Sequence, residues 1–80
     1  MDATYAEVGT EVVIAFHRSE LYRYYGQRYV CRKATITRKH ATVDSCQVDA
    51  DPDGSWWPVC DMILASDIDL LTPDQRARIR

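Results

Sequence analysis

Apolar and polar positions alternate with a period of two over Arg28 to Arg38, the period of a pleated strand rather than of a helix. Glu11 to Phe16 is instead an almost unbroken apolar and β-branched run. It predicts a first strand covered on both faces. Arg28 to Arg38 predicts a long second strand, with Val30, Ala34 and Ile36 on one face and Cys31, Lys33, Thr35 and Thr37 on the other. Lys39-His40 reads as a tight turn. Ala41 to Val48 reads as a third strand, with Ala41 and Val43 inward and a bulge near Ser45 that brings Cys46 and Val48 to the core. Trp56 to Leu64 predicts a fourth strand, interrupted at Pro58, which suits an edge or a bend. Neighbouring residues of a strand face opposite ways, so Trp57 is expected inward with Val59 and Trp56 outward.

The connections carry their own chemistry. Asp49 to Ser55 is the clearest loop: Pro52 presets one φ and Gly54 accepts a positive one. Asp49, Asp51 and Asp53 have the spacing that begins a calcium loop. Pro52 intrudes, however, and no Glu follows at the twelfth position, so these carboxylates read as solvated turn chemistry. His17 to Gln27 allows two forms, a short helical turn capped by Ser19 or an irregular hairpin around Gly26-Gln27, and its tyrosines favour the extended one. Ser66 to Asp69 reads as a capped single turn, and Leu70-Leu71 as a short fifth strand that closes the core. Thr72-Pro73-Asp74-Gln75 is a helix start: Thr at the N-cap, Pro at the first position and Gln at the third.

This order of elements is similar to that of the small SH3-like barrels, including Tudor and KOW-type modules. Val8-Gly9-Thr10-Glu11-Val12 resembles their first strand, and Arg32-Lys33-Ala34-Thr35-Ile36 their second. Ser66-Asp67-Ile68-Asp69-Leu70-Leu71 resembles their closing segment. The resemblance spans residues 6–72 and implies a mainly β chain: a five-stranded barrel followed by a short helix over 73–80, in one domain of 1–80. The F-x-D-Y-G run of Tudor modules has no counterpart between Cys46 and Trp56, and no methyl-arginine site is carried over.

Composition narrows the function classes. An apolar share of 46% supports a packed core. The longest apolar run is Val12 to Phe16, too short to cross a membrane, and no secretory leader is visible, so a cytoplasmic location is expected. The odd set Cys31, Cys46 and Cys60, without a C-x-x-C pair, argues against a disulfide framework or a zinc site. No Ser/His/Asp or Cys/His spacing stands out, and three glycines leave little for a phosphate-cradling loop. The expectation is a non-enzymatic protein with no cofactor and no metal.

The net charge of −2 conceals blocks of opposite sign. Residues 17–40 hold seven Arg and Lys against Glu20, for +6, while residues 41–75 hold eight Asp and no base, for −8. One reading is that basic and acidic strands neutralise each other across the sheet. The other is a molecule with one basic face and one acidic face.

Tyr22, Arg23, Tyr24, Tyr25, Arg28, Arg32 and Lys33 interleave rings with cations, and Trp56 adds an outward indole. Tyr, Trp and Arg are the usual anchors of protein interfaces, so a partner protein is expected on this surface, with the chain acting as a small regulatory binding protein. The alternative is single-stranded nucleic acid, with phosphates met by Arg23, Arg28, Arg32, Lys33, Arg38 and Lys39 and bases stacked on the tyrosines. A lone 80-residue chain with divided charge is the kind of product that phages and mobile elements encode; this is an analogy. Monomer and homodimer are both compatible with the sequence.

Overall fold

A computed structural model describes residues 1–14 and 32–79 of the chain. It is mainly β: five strands form one antiparallel sheet, with short helical turns around it. The strands are β1 (Glu11–Ile14), β2 (Arg32–Lys39), β3 (Ser45–Val48), β4 (Trp57–Pro58) and β5 (Met62–Leu64), in the order β4-β3-β2-β1-β5. The expected barrel is not closed, because β4 and β5 remain the two edges of the sheet.

The sheet is nonetheless strongly curled, and its connectivity requires it. Only the 3-10 turn Val59–Asp61 joins β4 to β5. Four residue steps from Pro58 to Met62 reach about 14 Å at full extension. The edges of a flat five-stranded sheet lie about 19 Å apart. Side chains confirm the curl: Cys46 Sγ on β3 lies 3.7 Å from Met62 Sδ on β5, although β2 and β1 run between those strands.

The concave side holds the main core of Val12, Ile14, Ala34, Ile36, Cys46, Val48, Trp57, Val59 and Met62, with Ala6 beside them. Val13 points the other way and is sealed by Leu71, with Ile63, Ile68 and Ile79 packed against the pair. β1 is therefore covered on both faces, as its apolar run predicts. The cover on the convex side comes from Ile68 of the 3-10 segment Ala65–Leu70, from Leu71 after it, and from Ile79 beyond helix α1 (Pro73–Ala77). The start of α1 matches its sequence signal. Thr72 accepts from the Gln75 amide, the Gln75 side chain accepts from the Thr72 amide, and Pro73 stands in the first turn.

Several expectations are corrected. Ala41 and Val43 do not enter a strand; they are exposed in a turn over 40–44. The cause is His40, whose Nδ1 accepts from the amides of Thr42 (3.1 Å) and Val43 (3.2 Å) and holds the turn open beyond two residues. The bulge lies in β2 rather than near Ser45: Ile36 pairs with Val48 and Arg38 with Gln47, so Thr37 is the extra residue. Cys46 and Val48 are in the core as expected, but through the period of β3 itself, on which they lie two residues apart. The expected fourth strand is two strands, β4 and β5, separated by the turn that follows Pro58. Leu70-Leu71 is no strand: Leu71 is buried, while Leu70 is 80% exposed. The turn before it starts at Ala65, after Leu64 and without a side-chain cap, not at Ser66.

Asp51 is likewise not solvated. It is 4% exposed and accepts from Trp57 Nε1 at 2.9 Å and from the Asp53 amide at 3.1 Å. The loop packs down because an indole N–H in the core needs an acceptor, and the turn formed by Pro52 and Gly54 brings Asp51 to it. Phe16, Val30, Cys31 and the two forms of the His17 to Gln27 connection lie outside the described residues.

Candidate functional site

The basic strand β2 runs between β1 and β3, and its cations meet different surroundings along its length. At one end, Arg32 pairs with Ile14 and Lys33 with Val13. Ile14 faces the main core and Val13 the convex side, so these two cations leave the strand toward opposite faces. Both are exposed. At the other end, Lys39 Nζ is held by Glu7 Oε1 at 3.0 Å, an acid outside the 41–75 block. Arg38 forms no ion pair among the described residues.

Arg38 instead approaches Trp56. Its guanidinium carbon stands 5.8 Å from the indole centroid, within reach of the negative face of the ring. His40 meets the same indole edge-on, with ring centroids 4.7 Å apart and planes at 74°. The register explains the convergence. Cys46 is opposite Trp57 and Lys39, both on rows that start inward, so Gln47, Arg38 and Trp56 fall on the alternate, outer row. Gln47 donates to the Gly54 carbonyl at 2.6 Å and so ties the loop before Trp56 to β3. Trp57 is buried and Trp56 half-buried, in the orientations expected from the sequence.

The chemistry of this cluster is one-sided. Nδ1 of His40 is an acceptor for two backbone amides, so a neutral ring carries its proton on Nε2. Guanidinium and imidazole Nε2–H are both donors. The cluster therefore sets a cation and hydrogen-bond donors beside an indole.

Of the residues singled out for the protein interface, Trp56, Arg32 and Lys33 are described, and they are not brought together. Arg32 and Arg38 are six residues apart on β2, or about 20 Å. Arg38 and His40 are the neighbours of Trp56 instead. Arg38 was expected only as a phosphate contact, and its place beside Trp56 was hidden because the bulge at Thr37 sets which face Arg38 takes. Tyr22, Arg23, Tyr24, Tyr25 and Arg28 lie outside the described residues.

A groove of about 400 Å³ is bordered by Met1, Tyr5, Ile63 and Leu70, with Asp2 and Asp67 at its rim. Asp2 accepts from the Thr4 amide at 2.9 Å and from its hydroxyl, and the hydroxyl bond leads in holding the exposed carboxyl below its ordinary range. Among the described residues, no group of three or more His, Cys, Asp or Glu is placed to hold a metal. No helix among them is long and apolar enough to cross a membrane. No family model, curated protein or solved structure matches this chain.

Proposed function

We propose that this chain is a small, non-enzymatic regulatory binding protein that docks on a partner protein, acting in the cytoplasm. The observation that carries the reading is Trp56, half-buried between Arg38 and His40 on the outer row of the sheet. An indole already held by its neighbours loses little entropy when a partner covers it, and the adjoining guanidinium and imidazole fix orientation. The segment 18–33 leads into the opposite end of β2, where Arg32 and Lys33 stand, and forms a second contact region. The fold class that fits best is a small SH3-like barrel. Its support is the strand order and the three-residue connection that forces the two sheet edges toward each other.

Affinity capture from the source cells tests the docking. Trp56→Ala combined with Arg38→Ala is expected to lose the captured partner, and Tyr24→Ala combined with Arg28→Ala examines the second region. Retention of every partner by both double variants would refute the reading. Tight binding of labelled single strands at about 50 mM salt, weakening steeply as salt is added, would favour nucleic acid instead.

A further inference from the structure

We infer that the Arg38–His40–Trp56 surface takes a segment of the partner that presents a carboxylate beside a flat apolar or aromatic side chain. This rests on the docking reading above and specifies its ligand. The first ground is the donor census. Arg38 brings a guanidinium with no ion pair among the described residues. The Nδ1 of His40 is occupied by the amides of Thr42 and Val43, so the ring offers Nε2–H and no lone pair. A ligand that satisfies such a site must bring acceptors, and a carboxylate matches the fork of a guanidinium in two parallel bonds. The Trp56 ring beside it favours a flat or apolar neighbour over a bare anion.

The second ground is the charge around the cluster. Lys39, the next cation on the strand, is already taken by Glu7. Asp44 lies in the same turn as His40, and Asp53 in the loop that leads to Trp56. Of the two cations at this end of β2, Arg38 is the one without an ion pair among the described residues. A single acidic side chain matches it. A nucleic-acid strand, which needs several cations along its phosphates, finds one unpaired cation at this end among the described residues.

A displayed random peptide library selected on the folded protein tests this. Enriched peptides are expected to carry Asp or Glu within two positions of Phe, Tyr or Trp. Changing that acid to its amide is expected to weaken binding roughly tenfold to the parent protein and by less than about twofold to Arg38→Ala, a coupling that only a direct contact produces. Arg38→Lys keeps the charge but loses the fork and falls between the two. Arg38 is exposed, so unchanged thermal melting shows that these variants fold. Peptides that depend on Trp56 but carry no acid would overturn the inference and leave the docking reading intact. If no enriched peptide depends on Trp56, or if oligothymidylate outcompetes the acidic peptides, both fail.

Discussion

Replacing Asp51 is the sharpest test of how the acidic loop is fastened to the core. Its carboxylate is almost fully covered and holds two donors, the Trp57 indole N–H at 2.9 Å and the Asp53 amide at 3.1 Å. A hydrogen bond to a charged group contributes about 1.5–3 kcal/mol net. Asp51→Ala loses the acceptor of a buried indole and a bond at the loop surface together, so about 2–3 kcal/mol is the expected loss. A domain of this size holds roughly 5 kcal/mol in reserve and shifts its melting point by about 4–8 °C per kcal/mol. The melting point should therefore fall by about 10–20 °C. Asp51→Asn keeps one oxygen for the indole and should lose about half as much. Far-UV circular dichroism and tryptophan fluorescence, followed through the same melt, measure both changes. Asp51→Ala melting within about 2 °C of the parent, or Asp51→Asn melting below Asp51→Ala, would refute the reasoning.

Three further outcomes follow from other contacts. Gly54 has φ +74°, and a Cβ there would lie 3.3 Å from Gln47 Nε2, so Gly54→Ala should cost about 1–2 kcal/mol in chemical denaturation. Thr72→Ala removes both the cap and half of the capping box of α1, and a loss of about 1 kcal/mol is expected, with faster amide exchange over 73–77. Burial pushes the Cys46 thiol from 9.0 up to about 11. The folded state therefore holds that proton longer than the unfolded one, so its contribution to stability is complete below pH 9 and is lost as pH rises through about 11. At pH 8, iodoacetamide should modify exposed Cys60 well before buried Cys46, and equal rates in the folded protein would contradict the packing.

Much of the local structure was legible in the chain because it rests on residues close in sequence. The β-branched run from Glu11, the alternation of Ala34 and Ile36, the opposed indoles of Trp56 and Trp57, and the Thr72 cap all depend on strand or helix period and on single-residue chemistry. What sequence could not reveal depends on partners remote along the chain. The bulge at Thr37 arises from the mismatch between β2 and β3, and it reassigns the faces of every later residue on β2. Asp51 reads as one more solvated acid until the curl of the sheet places Trp57 beneath it. Arg38 and Trp56 are eighteen positions apart, and the register of three strands brings them together. Periodicity decides which way a side chain points from its own strand; only the pairing of strands decides what it meets there.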